Sequence, residues 1–269
     1  ISMPGVPFEM MSIVEDEVIK RLQQRFISDP IEHRSIITAG EGESFIADKI
    51  KDIEASLPES IRLAYLPSTG IVRLRLTATG NDREQLSKLL EKFQGEIAHR
   101  LADIVVSLDD IPMEQILGKA LMEKSATVGF AESCTGGYIG HLITQVVGSG
   151  NYFKGSLVTY ANDVKENVLG VSKKTLSEQT AVSEDVAIQM AKAAQKLLGC
   201  DYSLSVTGIL SAGGEENETN PVGTVWMAVA HKEIVKTKKF LFHYDRPRNK
   251  DVAVQMAMLM LWRFLNNKM

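Results

Sequence analysis

The sequence predicts a layered α/β protein in two parts: a small α+β unit with the ferredoxin-like order βαββαβ, then a larger α/β domain with a mixed sheet. Three observations carry this. Apolar residues switch repeatedly between period-two and helical spacing along the chain. In the second part helices and strands alternate and then end on two apolar runs, 222–230 and 234–242, that read as an antiparallel hairpin. Between a strand and a helix of that part stands Ala131-Glu132-Ser133-Cys134-Thr135-Gly136-Gly137, the one place where small, hydroxyl-bearing and glycine residues crowd together.

The expected parts are 1–29, 30–107 and 108–269. The first opens with Pro4-Gly5-Val6-Pro7, a rigid turn, followed by a helical run to Phe26. This helix is expected to dock its apolar side on the unit after it. A polar break at Ser28-Asp29-Pro30 leads into a strand over 33–39 and an amphipathic helix over 44–57, with Phe45, Ile46, Ile50 and Ile53 on one side. Strands over 61–66 and 71–79 are joined by a Pro67-Ser68-Thr69-Gly70 turn. In the second strand Val72, Leu74 and Leu76 alternate with Arg73, Arg75 and Thr77, so the arginine face is expected to be solvated. A helix over 82–101 and a strand over 104–106 complete the unit.

In the larger domain Pro112 suits the first position of an entry helix over 113–124. A short buried strand over 126–130 precedes the heptad, and 138–147 carries apolar residues at helical spacing. Then come a strand over 156–160, a helix over 162–169 and a longer one over 183–198, capped by Ser183 and stopped by Gly199. A strand over 202–206, an irregular loop over 208–221, the hairpin and a last helix over 251–266 end the chain.

Composition bounds the function. With 34 acidic against 30 basic side chains the net charge is -4, which argues against bulk attraction to nucleic acid or anionic membrane. Two cysteines, Cys134 and Cys200, form neither a disulfide framework nor a zinc pattern. No basic-then-apolar leader opens the sequence. The expectation is a cytoplasmic protein. The turn Gly40-Glu41-Gly42-Glu43 lacks the GxxG spacing and basic surface of an RNA-clamping loop, so a spacer or dimerisation role is expected for the small unit.

At the heptad a strand, a polar turn and a helix start meet at Ser133. That geometry suits a phosphate or oxyanion site, or a glycine turn with Ser133 or Thr135 as the helix N-cap. The heptad resembles the AESCTGG signature of the CinA carboxy-terminal domain, the nicotinamide mononucleotide deamidase family. Further matches stand in family order: Val158-Thr159-Tyr160-Ala161-Asn162-Asp163-Val164-Lys165, Ala181-Val182-Ser183, Ser205-Val206-Thr207-Gly208-Ile209, Pro221-Val222-Gly223-Thr224-Val225-Trp226 and Asp245-Arg246. The unit before it resembles the family's KH-like region. Pro4-Gly5-Val6-Pro7-Phe8-Glu9-Met10 resembles the end of the molybdopterin-binding-like domain of full-length members, which implies a remnant of that domain at 1–29.

The resemblance implies hydrolysis of the carboxamide of nicotinamide mononucleotide without a metal; no cofactor and no nucleic-acid or membrane partner are expected, and the chain is expected to form a homo-oligomer. Ser133 matches the nucleophile and Lys165 the base, with Tyr160 beside it. A lysine has to be desolvated or set near another cation to act in its neutral form; residues alone read Lys165 as a solvated helix lysine. Thr135, Gly136, Gly137, Asn162, Thr207, Gly208 and Arg246 are the implied substrate contacts, Arg246 for phosphate. Cys134 is the rival nucleophile, or a packing group. No histidine is placed to complete a serine–histidine pair. The chain departs from the family at Leu210-Ser211-Ala212, where Ala-Gly-Pro is usual, and at Tyr244 before Asp245. A catalytically silent nucleotide-binding protein, or an interaction module in competence or damage response, are the alternatives.

Overall fold

The long helix at the carboxyl end lies between two sheets and joins their cores. The computed structural model describes residues 1–26, 29–68, 70–213 and 216–269. Ser28 of the polar break, Thr69 of the turn and Gly214 of the irregular loop lie outside the described residues.

The chain begins with α1 (Pro7–Ile13), a π-helical segment Val14–Val18 and α2 (Ile19–Arg25), none of whose residues is buried. Phe8 is 84% and Phe26 61% exposed, so the expected docking of this helix on the next unit does not occur. The apolar faces it would need are already covered by other helices.

The first sheet is built from β1 (Ile31–Ala39), α3 (Glu43–Ala55), β2 (Ile61–Ser68), β3 (Ile71–Thr79), α4 (Arg83–Arg100) and β4 (Val105–Ser107). Its order is β2-β3-β1-β4 with every pair antiparallel, the ferredoxin-like arrangement that the sequence predicts. Val72, Leu74, Leu76 and Ala78 point to one face and pack with Ile46 and Ile50 of α3 and Leu90 and Ile97 of α4. Asp82 caps α4 by accepting from Glu84 N and Gln85 N. Phe45 is an exception to the helical spacing: it stays exposed, with Lys49 Nζ 4.6 Å from its ring centroid.

The opposite face is not simply solvated. Ser35 to Ala39 are all buried, and Ile37, Ala39 and Val106 join the core of the second sheet. Arg75 is exposed, but Arg73 lies 3.0 Å from Asp110 in an ion pair.

The second unit runs α5 (Met113–Glu123), β5 (Val128–Glu132), α6 (Tyr138–Thr144), β6 (Phe153–Val158), α7 (Asn162–Leu169), α8 (Lys173–Gln179), α9 (Glu184–Leu198), β7 (Tyr202–Gly208), β8 (Thr224–His231), β9 (Ile234–Leu241) and α10 (Arg246–Leu265). The strand order is β6-β5-β7-β8-β9; the first three strands are parallel and the last two antiparallel, a mixed sheet as expected. One face is lined by α9, whose Ala191 and Ala187 carbonyls accept from the hydroxyls of Ser203 and Ser205. The other face packs on α5, α6 and α10.

Several boundaries differ from the sequence reading, β6 among them, which runs over 153–158 rather than 156–160 and leaves Tyr160 in the connection after it; three further differences have an evident cause. Strand β5 continues to Glu132, because the polar end of the strand is held between β6 and β7. Helix α8 departs from the expected order, its apolar content being little more than Leu176 packed under α9. Helix α10 begins five residues early, since Asp245 caps it by accepting from Arg248 N at 2.9 Å and Pro247 sits in its first turn. Among the described residues no helix is long and apolar enough to cross a membrane.

Near its end α10 returns to the first sheet: Arg263 Nη2 donates to the Ala39 carbonyl at 2.9 Å. Gly40 comes next with φ 93°, and a Cβ there would collide with Arg263 Nη2. Gly40→Ala combines left-handed strain with loss of this contact, and is expected to cost about 1–3 kcal/mol in a urea unfolding curve. An unchanged midpoint would show that the junction tolerates displacement of Arg263.

Candidate active site

The carboxyl ends of the parallel strands open into a cavity of about 300 Å³. Ser133 and Cys134 enter it from the end of β5, Tyr160, Asn162 and Lys165 from the β6–α7 connection, and Ala181 and Val182 from the approach to α9. Thr207, Gly208 and the loop through Gly213 extend from β7, and Arg246 closes the ring from the first turn of α10. Crevices at the carboxyl ends of parallel strands are the usual ligand sites of open α/β sheets. Seven of the ten residues implied as catalytic groups or substrate contacts therefore meet here, Ser133, Tyr160, Asn162, Lys165, Thr207, Gly208 and Arg246, together with the rival nucleophile Cys134. Thr135, Gly136 and Gly137 do not line the cavity.

Their place is explained by Glu132, whose importance the sequence does not announce. This carboxylate is 0% exposed. Its Oε2 accepts from Thr135 Oγ1 (2.7 Å), Gly137 N (3.0 Å) and Ile139 N (3.1 Å), and its Oε1 from Gly140 N (2.9 Å) and Ser156 Oγ (2.7 Å). A buried carboxylate is tolerated only when so saturated with donors. It also fills the amino end of α6, so neither Ser133 nor Thr135 is that helix's cap; the cap position is Gly137, at φ 92°. The one hint in the sequence is an acid at the end of an otherwise apolar strand, immediately before the serine.

With Gly137 N on Glu132 and Gly136 N on the Ser133 carbonyl, the inner donors of the turn are used. Among the described residues no oxygen accepts from the backbone N–H of Cys134 or Thr135, that of Cys134 facing its own thiol, and no partner meets the hydroxyl of Ser133. Ser133 is itself fixed by its N–H on the Val206 carbonyl at 2.9 Å.

Lys165 is 1% exposed, against the reading of a solvated helix lysine. Its Nζ donates to the Tyr160 carbonyl at 2.9 Å and stands 3.5 Å from Asn162 Oδ1. Gly170, at φ 67°, ends α7 and turns the chain back toward α9. The facing wall is held by Thr207 Oγ1, which donates to the Ala181 carbonyl at 2.7 Å. Just before that wall Thr180 adopts φ 66°, an uncommon value for a β-branched residue. Gly208 has a packing role: a Cβ there would lie 2.7 Å from Val225 Cγ2 and 2.8 Å from the Thr224 carbonyl.

At the mouth Arg246 donates from Nη1 to Ser211 Oγ at 2.9 Å and from Nη2 to the Tyr160 hydroxyl at 3.0 Å. Asn249, one turn along α10 and fully buried, donates to the carbonyls of Leu210 and Tyr244 and accepts from Tyr244 N. It pins the unusual 210–212 loop to the helix that carries Arg246.

Comparison with known proteins places this cavity in a family context. Residues 110–265 match the model of the CinA C-terminal domain, and residues 33–106 that of the damage-inducible protein CinA KH domain. A CinA-like protein of Flavobacterium psychrophilum is 41% identical over 98% of this chain and 63% of its own length. A putative competence-damage inducible protein of Halothermothrix orenii is 36% identical over 98% of this chain and 63% of its own. The chain thus spans somewhat under two thirds of the length of these relatives. Among solved structures, competence/damage inducible protein CihA from Agrobacterium tumefaciens superposes with TM-score 0.54 at 32% identity, over 60% of this chain and 99% of that one. A CinA superfamily protein from Escherichia coli does so with TM-score 0.55 at 30% identity, over 56% and 88%.

The state of the two cysteines is set by their burial. Removal from water pushes the Cys134 thiol up to about 12 and that of Cys200 to about 11. Both folded values lie above the ordinary 9.0, so the stability tied to the protonated thiols is complete below pH 9 and is lost as pH rises toward 11 and 12. At pH 8 both are expected to resist iodoacetamide in the native protein and to react freely in denaturant. Native alkylation of Cys134 at the rate of a free thiol would contradict a buried, protonated packing group.

Proposed function

The chain belongs to the CinA family of competence- or damage-inducible proteins, and from that premise we propose that it hydrolyses the carboxamide of nicotinamide mononucleotide to the acid and ammonia. The observation that carries this reading is the Ser133 hydroxyl, without a protein partner among the described residues, opening on the same small cavity as the buried amine of Lys165. Amide hydrolysis needs a nucleophile, a base, donors for the tetrahedral oxyanion and a hold on the rest of the substrate.

In this scheme Ser133 Oγ attacks the carboxamide carbon while Lys165, in its neutral form, takes the hydroxyl proton. The backbone N–H of Cys134, a residue that lines the cavity, is the donor offered to the oxyanion, in place of the Gly136 and Gly137 donors that the turn consumes. Collapse of the intermediate passes the proton to the departing nitrogen, releasing ammonia and leaving an ester on Ser133, which water then hydrolyses. The Tyr160 carbonyl and Asn162 orient Lys165. Arg246, always cationic, is the partner for the phosphate.

The scheme separates hydroxyl from thiol chemistry. Ser133→Ala is expected to lower kcat for ammonia release by at least about a thousandfold, and Lys165→Met by a comparable factor, because residues acting as one unit fail together. Cys134→Ala, which keeps the backbone N–H, retains most of the rate. An active Ser133→Ala beside an inactive Cys134→Ala would reverse the assignment. Wild type that binds the nucleotide and releases no ammonia would select the silent-binder reading, to which the altered 210–212 loop gives some support.

A further inference from the structure

Resting on the reading of Arg246 as the phosphate partner, we propose that Ser211 is a specificity-determining residue. With Tyr160 it holds the Arg246 guanidinium across the cavity mouth and makes the site select a phosphomonoester over the uncharged nucleoside. The sequence shows Ser211 only as a departure from a glycine-containing family loop. The structure gives its hydroxyl a task.

The guanidinium bridges the two walls, through Nη1 to Ser211 Oγ at 2.9 Å and through Nη2 to the Tyr160 hydroxyl at 3.0 Å. Among the described residues no carboxylate pairs with Arg246. Its neighbour Asp245 is engaged as the α10 cap, and Arg248 is turned away, with its guanidinium 4.3 Å from the Tyr244 ring centroid. A hydroxyl oxygen that accepts from a cation has its own proton left to donate. Ser211 and Tyr160 therefore each offer an O–H beside the remaining N–H groups of Arg246, a cluster of donors with net positive charge. A phosphate dianion satisfies such a cluster; a 5′-hydroxyl does so poorly.

The base side of the site is tied to the same bridge. Tyr160 accepts Lys165 Nζ on its carbonyl while its ring hydroxyl accepts from Arg246. The loop is set from behind by Asn249, whose amide donates to the Leu210 carbonyl at 3.0 Å, so the Ser211 hydroxyl is presented by a pinned backbone. Replacing Ser211 removes one support from the guanidinium and one donor from the anion, without touching Ser133 or Lys165.

The test is calorimetric binding of nicotinamide mononucleotide, nicotinamide riboside and ribose 5-phosphate to wild type, Ser211→Gly, Ser211→Ala and Ser211→Thr, with KM and kcat for ammonia release alongside. The glycine and alanine variants are expected to raise Kd for both phosphorylated ligands about five- to tenfold, the span of a lost charge-assisted hydrogen bond at a partly exposed site. Nicotinamide riboside moves less than twofold, the kinetic loss falls on KM, and threonine restores wild-type selectivity. Equal weakening of nucleotide and nucleoside, or no change in either, overturns the proposal, as does a wild type without affinity for ribose 5-phosphate and the nucleotide. Binding requires no turnover: if wild type shows the selectivity and the Ser211 effect but releases no ammonia, the amidase reading falls and the clamp stands.

Discussion

The carboxylate of Glu132 is the constraint on which the site's geometry depends. It is wholly removed from water, and such a charge survives burial only if donors surround it. The five it finds come from three stretches of chain: the turn after β5, the first turn of α6 and the middle of β6. Meeting that demand draws the helix end and both strands together and leaves Ser133, the next residue, no freedom to withdraw from the cavity. It also has a consequence for recognition. The amino end of α6 resembles an anion site in sequence, yet its anion is internal, and under the proposed function a substrate phosphate has to be met elsewhere.

In the proposed function that place is α10. Its capped first turn carries Arg246 to the cavity mouth, its buried Asn249 fixes the 210–212 loop, its middle fills the core of the second sheet, and Arg263 reaches the edge of the first sheet at Ala39. The helix is thus both a structural beam and a wall of the site. The arginine face of the first sheet is partly covered for the same reason, since the side of β1 left open by α3 and α4 is where this core begins.

Much of this is legible in the sequence. Alternation in β3, the capping residues Asp82 and Ser183, and the glycines ending α7 and α9 are local signals, and they set most element boundaries. Residues of the cavity are legible through resemblance, and the structure brings seven of them together although they span 133–246. The illegible part depends on distance along the chain. Glu132 looks like an ordinary acid until five donors surround it. The Ser211–Arg246 bond joins residues 35 apart. The early start of α10 has its signal in Asp245 and Pro247, but the preceding hairpin obscures it. The amphipathic helix before β1 has an apolar side that finds no surface among the described residues, which no periodicity could reveal.

Under the proposed function Glu132 closes the α6 end, and the nucleotide lies with its carboxamide at Ser133 and its phosphate at Arg246. The direct measurement is a crystal structure of the Ser133→Ala protein with nicotinamide mononucleotide bound. Phosphate oxygens are expected within hydrogen-bond reach of Arg246, Ser211 and Tyr160, the carboxamide beside residue 133, and Glu132 still accepting from Gly137, Ile139 and Gly140. A phosphate seated on those three N–H groups, with the Glu132 carboxylate displaced, would contradict it.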